Sequence, residues 1–320
     1  MQTDIMGKAE RFQALHREGC FVIANAWDAG SARILGHLGF AALATTSAGL
    51  AFMLGRRDGQ AAVSRADALA NARDIVAATS LPVSADLEDG YGADPDVCAE
   101  TVRLAAAAGL CGCTIEDTTG DPASPIHGFD AAVARVRAAV AAARAAAHPF
   151  ALTARAENFL HGRPDLDDTV RRLVAFAEAG ADCLYAPGLP SMEAVRAVVA
   201  AVAPRPVNVL AGPRDGLVPL GMLAGAGVRR VSVGGALARG AYGRLLDMGA
   251  ALQAGDLPGA LRGIPAHAEI EAALGLGYVL ASGHPPSAMG RQAWSGPSLA
   301  ATEYRSHSPR LSSGRFTSNR

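Results

Sequence analysis

The sequence predicts one α/β domain, a TIM-type (β/α)8 barrel, from three observations. From residue 20 onward an apolar strand-like run alternates with an amphipathic helical one eight times, and eight repeats point to closure. Most of the runs are apolar at both alternating positions, as strands buried on both faces of a parallel sheet are. Half of the 320 residues are hydrophobic but only 5% are aromatic, so the core is built from Ala, Val and Leu, which suits helices laid closely on a sheet. A doubly wound open sheet would need a Gly-rich phosphate loop after an early strand, and no run has that spacing.

In chain order the predicted strands are 20–24, 41–45, 82–86, 112–116, 150–155, 183–186, 207–210 and 230–233. Helices are expected at 66–78, 99–108, 131–146, 167–179, 192–202, 219–226 and 236–254. Several end in glycine just before the next strand, as at Gly109, Gly180 and Gly227, the C-cap of an αβ turn. The connection 48–64 after the second strand is long for a βα loop, and Gly49, Gly55 and Gly59 offer hinges for a lid. Beyond two short helices at 256–263 and 268–276 the pattern ends. The barrel is therefore assigned residues 1–276, and the Ser/Pro/Gly/Arg-rich residues 277–320 are expected to form a disordered tail.

With 29 basic and 30 acidic residues the net charge is −1, which argues against a nucleic-acid partner. The N-terminus has no basic-then-apolar leader pattern, and no apolar run approaches the roughly 20 residues of a membrane span; a cytoplasmic protein is expected. The five cysteines are odd in number and lie mostly in apolar runs, consistent with buried reduced thiols.

Polar residues recur where strands end, the face on which barrel enzymes carry their sites. Asn25 and Asp28 follow the first strand and Thr45, Thr46 and Ser47 the second. Asp86, Glu88 and Asp89 follow the third, Glu116 and Asp117 the fourth, and Arg155, Glu157 and Asn158 the fifth, while Asn208 lies in the seventh. Asp28 and Ser47 also suit helix N-caps. Three carboxylates in the four positions Asp86-Leu87-Glu88-Asp89 repel one another at a half-buried strand end, which calls for a positive partner or for full solvation. A divalent cation bound by hard oxygens, Mg²⁺ or Mn²⁺, meets that need.

At this point the sequence resembles the isocitrate lyase and phosphoenolpyruvate mutase superfamily, Mg²⁺-dependent barrels acting on small 2-oxo acids and related carboxylates. The likeness covers roughly residues 8 to 255. It rests on Asn25-Ala26-Trp27-Asp28, Gly55-Arg56-Arg57-Asp58-Gly59, Ala85-Asp86-Leu87-Glu88-Asp89-Gly90-Tyr91-Gly92, Ile115-Glu116-Asp117 and Ala154-Arg155-Ala156-Glu157. The third of these is similar to the family's Asp-x-Asp-x-Gly-Tyr-Gly metal signature, with Glu88 replacing its second Asp. The resemblance implies that Asp86 binds Mg²⁺ directly, with Glu88 and Glu116 holding its waters. Thr46, Ser47 and Ala48 would offer hydroxyl and N–H groups to a substrate carboxylate or phosphonate, and Arg155 would pair with the same anion. Asp58 sits where the family has an acidic residue on a mobile loop, the phosphoryl acceptor proposed for the phosphonomutases. The family also implies a homo-oligomer, a dimer of dimers exchanging the last barrel helix.

Departures narrow the chemistry. The lyases place Lys-Lys/Arg-Cys-Gly-His after the fourth strand, whereas this chain runs from Asp117 to His127 without a cysteine. The phosphonomutases have an Asn on that loop and a His after the sixth strand, where this chain has Tyr185-Ala186-Pro187-Gly188. His127 is the titratable residue on the loop able to give or take a proton, though a loop histidine is more often just solvated. Asn208 and Tyr185 are candidates for shaping the pocket. The first expectation is an Mg²⁺-dependent lyase that cleaves or decarboxylates a small 2-oxo or 2-hydroxy (di)carboxylic acid through an enolate. The alternatives are a phosphonate enzyme, either a mutase or a P–C hydrolase, and a barrel that only binds a carboxylate.

Overall fold

The computed structural model describes residues 4–59, 62–212 and 218–275; the predicted tail 277–320 lies outside them. Eight parallel strands close into one barrel in the order β1 to β8. They are β1 Phe21–Asn25, β2 Leu43–Ala44, β3 Val83–Asp86, β4 Gly112–Glu116, β5 Ala151–Arg155, β6 Cys183–Tyr185, β7 Val207–Leu210 and β8 Arg230–Ser232. Each lies on a predicted run, within a residue or two at the ends. β2 is the exception in length, with two paired residues where five were expected.

Among the described residues the helices are α1 Ile5–Leu15, α2 Ala29–His37, α3 Ser47–Met53, α4 Arg65–Ala78, α5 Pro95–Ala107, α6 Phe129–Arg144, α7 Leu166–Glu178, α8 Met192–Val202, α9 Leu220–Gly225, α10 Ala236–Gln253, α11 Leu257–Leu261 and α12 His267–Ala273. Side-chain caps start many of them: Asp28 accepts from Ser31 N at 2.7 Å in a full capping box on α2, and Ser64 and Asp67 do the same on α4. The predicted long loop is shorter than expected, because α3 occupies its first part. Gly49 is packed within that helix rather than hinging, since a Cβ there would meet Thr46 at 2.6 Å and Trp27 at 2.8 Å.

The main core lies between strands and helices, with Leu43, Ile75, Leu87, Leu110, Ile115, Leu152, Leu173 and Phe176 fully buried. Each such side chain contributes on the order of 1.5–3 kcal/mol by leaving water. A second cluster seals the N-terminal end: Phe12 of α1 packs with Ile23, Ala42, Cys111 and Ala151 at the strand starts. The opposite end is left open to loops. The cysteines are all free, and all but Cys20 are buried, as expected. Among the described residues no helix is long and apolar enough to cross a membrane.

Register sets the geometry of the interior. Glu116 pairs with Arg155, Arg155 with Tyr185, Tyr185 with Asn208 and Asn208 with Arg230. The first three end their strands, Asn208 is second in β7, and Arg230 opens β8. Because barrel strands are tilted and staggered, this row of neighbours descends from the open rim to the sealed floor.

Candidate active site

Asp86 ends β3 and stands at the rim. Its Oδ2 accepts from Ser47 N at 3.2 Å and Ser47 Oγ at 3.1 Å; its Oδ1 accepts from Thr114 Oγ1 and from Arg155 Nη1, both at 3.2 Å. These contacts are longer than the 2.7–2.9 Å of strong charge-assisted bonds, so the carboxylate is surrounded but not saturated. Thr45 Oγ1 accepts from the Asp86 backbone N–H at 2.9 Å and fixes the end of the strand. Ser47 thus turns both its N–H and its hydroxyl toward Asp86, while Thr46 caps α3 through a 3.4 Å contact to Gly49 N.

Arg155 ends β5 and gathers the negative charge. Its Nη1 lies 3.2 Å from Asp86 and 3.1 Å from Glu116, its Nε 2.7 Å from Glu157, and its guanidinium 4.9 Å from the Tyr185 ring centroid. Burial works against its charge, but Glu116, Glu157 and Asp86 outweigh that and raise its pKa. Burial likewise raises Glu116 and Glu157, against the pull of Arg155. Glu88 is pushed up to about 8, first by burial and then by Asp86, Glu116, Asp89 and Asp58. Such crowding of carboxylates around a single guanidinium is short of positive charge.

Among the described residues no three His, Cys, Asp or Glu side chains converge closely enough to enclose an ion. The donors nevertheless suit a hard cation held by one direct carboxylate and by water: all are oxygens, and the crowding that pushes Glu88 up is what such an ion would relieve. Asp86 would hold it directly, with Glu88 and Glu116 outside its waters.

The loops that follow β3 and β4 are each tied from behind by a buried arginine. The loop after β3 turns through Gly90 at φ 80°, where a Cβ would meet Cys98 Sγ at 2.9 Å, and puts Glu88 and Tyr91 at φ 48° and 63°. Arg135 of α6 donates to the carbonyls of Asp89 and Gly92 and so holds that strained turn. Behind β4, Arg172 of α7 donates to Asp117 Oδ2 at 3.0 Å and to the His127 carbonyl at 2.9 Å. Asp117 Oδ1 in turn accepts from Glu157 N at 2.9 Å. Of the candidates, Thr46, Ser47, Ala48, Asp58, Asp86, Arg155 and Asn208 line the cavity, whereas Glu88, Glu116 and His127 do not. The His127 Nε2 is buried without a partner, and burial and Arg135 lower its pKa.

Beside Asp86 and Arg155 lies a cavity of about 200 Å³. Thr46, Ser47, Ala48 and Asp58 line its mouth, and Tyr185, Asn208, Ser232 and Arg230 its depth. Asp58 is exposed on the loop after α3. Asn208 donates to Ser232 Oγ at 2.9 Å and accepts from Arg230 Nε at 2.8 Å. Asn25 is spent on structure, donating to Thr45 O and accepting from Val233 N and Gly234 N.

A profile of the family described as phosphoenolpyruvate phosphomutase matches residues 12–253. The chain belongs to that family, within the isocitrate lyase and phosphoenolpyruvate mutase superfamily. The oxaloacetate decarboxylase of Paraburkholderia xenovorans is 32% identical over 231 residues, covering 69% of this chain and 74% of its own. A Burkholderia cenocepacia J2315 crystal structure, described by the alternatives lyase or mutase, is 51% identical with a TM-score of 0.81, covering 84% of this chain and 95% of that one. Oxaloacetate acetylhydrolase in complex with the product oxalate is 27% identical with a TM-score of 0.75, covering 85% and 95%. The family contains lyases and mutases, and membership supports an enzyme.

Sequence reasoning missed Arg230, Arg135 and Arg172. Arg229-Arg230 before Val231 did carry a signal: in a strand of period two, one of two adjacent arginines must point inward. The two helix arginines carried none: Arg135 lies in an alanine-rich run and Arg172 beside Arg171 and four residues after Asp168, so each reads as part of a solvated helix face.

Proposed function

We propose that the protein is an Mg²⁺-dependent carbon–carbon lyase that cleaves or decarboxylates a small 2-oxo or 2-hydroxy acid of the oxaloacetate type. The observation that carries this reading is the convergence of Asp86, Glu116 and Glu157 on the buried Arg155 at the mouth of a small cavity. A hard divalent cation supplies Lewis-acid polarisation of a 2-oxo acid. Arg155 pairs with the acid's carboxylate, orients it, and faces the negative charge that develops when the adjacent C–C bond breaks and its electron pair becomes an enolate. Tyr185, kept protonated by burial, offers an O–H donor on the cavity wall. Asp58, at the mouth, closes the site against water.

Purified protein with Mg²⁺ is expected to release pyruvate and CO₂ from oxaloacetate, or pyruvate and a carboxylic acid from a 2-methylmalate. Phosphate release from phosphonopyruvate, or its rearrangement, without any C–C cleavage would overturn the reading in favour of phosphonate chemistry at Asp58, which the cavity position of that residue also suits.

A homo-oligomer belongs to the same reading. Leu245, Leu246 and Leu252 of α10 are exposed, as are Leu257 and Leu261 of α11, an apolar face that a second copy would cover. Light scattering at micromolar concentration is expected to give a multiple of the 32.6 kDa chain mass.

A further inference from the structure

The sealed end of the barrel holds a buried positive charge with no acid beside it among the described residues. Arg230 is 2% exposed. Its Nε donates to Asn208 Oδ1 at 2.8 Å, its Nη2 donates to Thr153 Oγ1 at 2.9 Å, and its Nη1 lies 3.2 Å from His16 Nε2. All three partners are neutral, His16 because burial and Arg230 itself keep it unprotonated. A guanidinium has five N–H bonds in a planar fork, so among the described residues one N–H on Nη1 and one on Nη2 have no partner. The contrast with Arg155 is direct: that guanidinium faces three carboxylates, this one none. A charge taken out of water without a counter-charge is costly, and it persists where a ligand supplies the missing sign.

Arg230 is also within the active cavity rather than beneath it. The same enclosed space is lined by Asp86, Thr114, Arg155, Tyr185, Asn208, Ser232 and Arg230. The register row from Arg155 through Tyr185 and Asn208 to Arg230 is a continuous wall from rim to floor. Its length fits a small diacid. Thr153, which Arg230 reaches, lies two residues before Arg155 on β5, or about 6.6 Å along the strand. That is close to the span between the two carboxylates of a short dicarboxylic acid.

We propose that Arg230 forms a second anion subsite at the floor of the cavity, which takes the far carboxylate of a dicarboxylic substrate whose 2-oxo acid head lies against Arg155. It rests on the function proposed above only in placing that head at the rim. Asn208 belongs to the subsite as a positioning residue: with its Oδ1 held by Arg230, its amide must point its N–H groups toward Ser232 and the cavity.

The test compares 2-oxoglutarate with 2-oxovalerate, which share chain length and head and differ only at C5. With Mg²⁺ present, calorimetry is expected to show the native protein binding the diacid ten- to a hundredfold more tightly. In Arg230→Met that preference disappears while affinity for oxalate, too short to reach the floor, stays within twofold; Arg230→Lys keeps part of it. An equal loss for all three ligands, or an unchanged preference, overturns the subsite. NMR of the native protein gives a reading that needs no variant: the His16 imidazole resonances and pKa are expected to move with 2-oxoglutarate and not with 2-oxovalerate. Movement with acetate alone, and no diacid preference, overturns the assignment to substrate by showing a separate small anion at the floor. If oxalate fails to bind the native protein with Mg²⁺, it is the rim reading that has failed. If oxalate binds and no diacid preference exists, only the floor subsite has.

Discussion

The loops after β3 and β4 and the loop after α3 surround the same open end of the barrel, but they are held in different ways. The first two are fastened by Arg135 and Arg172, whose side chains are 2% and 6% exposed. The third, which bears Asp58, is tied by Arg56 to Asp67 at 2.7 Å, an ion pair with side chains 44% and 33% exposed. Buried charge-assisted bonds to loop carbonyls fix a conformation, whereas an exposed pair is worth little. The difference separates the loops that flank Asp86 and Glu116, which are fixed by buried ties, from the loop of Asp58, whose ion pair is exposed.

Variants can break or sharpen this division. Asp86→Asn removes one charge beside the fixed loops at nearly constant shape. Turnover is expected to fall at least 10³-fold, about 4 kcal/mol, with Mg²⁺ binding lost in calorimetry and circular dichroism unchanged. Asp58→Ala touches the loop with the exposed pair and should lower kcat by roughly 10–10³-fold, about 1.4–4 kcal/mol, with Mg²⁺ affinity and stability intact. A wild-type rate on the true substrate would remove Asp58 from the mechanism. Arg135→Met leaves the Asp89 and Gly92 carbonyls without their donor. Unfolding in urea should show a loss of about 2–3 kcal/mol, while Arg56→Ala on the other loop changes stability by under about 0.5 kcal/mol. Equal losses in the two variants would erase the distinction between the loops.

A pH dependence extends the comparison to the floor. Burial and Arg230 hold the His16 pKa down at about 3, from an ordinary 6.5. Between those values the unfolded chain takes up a proton that the folded protein does not, so His16 makes stability fall as pH drops below about 6.5, with the loss complete near pH 3. The slope from this one group is at most about 1.4 kcal/mol per pH unit. Urea unfolding at pH 7, 6 and 5 should show that component in the native protein and not in His16→Asn.

How much of this was readable in advance depended on the distance over which each feature is decided. The strands and the acids that follow them are local patterns: an apolar run that stops at Asp86 or Glu116 declares a strand end and a charged rim together. The two-residue β2 and the seven-residue α3 were misjudged because Ala41 to Met53 is apolar almost throughout, and periodicity cannot separate strand, turn and helix in such a run. The arginines that complete the site were invisible for another reason. Arg135 meets its loop 43 and 46 residues back, and Arg172 meets Asp117 55 residues back, so nothing near them in sequence reveals what they hold.

Those spans have a consequence for how the molecule comes into being. On a chain emerging from its N-terminus, the turn at Gly90 is made well before α6 exists to receive it, and the segment from Asp117 to His127 before α7. Each half of the acidic rim therefore waits on a helix one unit further along. A half-barrel ending after β4 would contain Asp86, Glu88 and Glu116 yet lack both Arg135 and Arg172, and the acids it displayed would be loose. The fixed geometry of the acidic rim is thus a property of late assembly, acquired when α6 and α7 dock, and the nascent N-terminal half passes through translation without it.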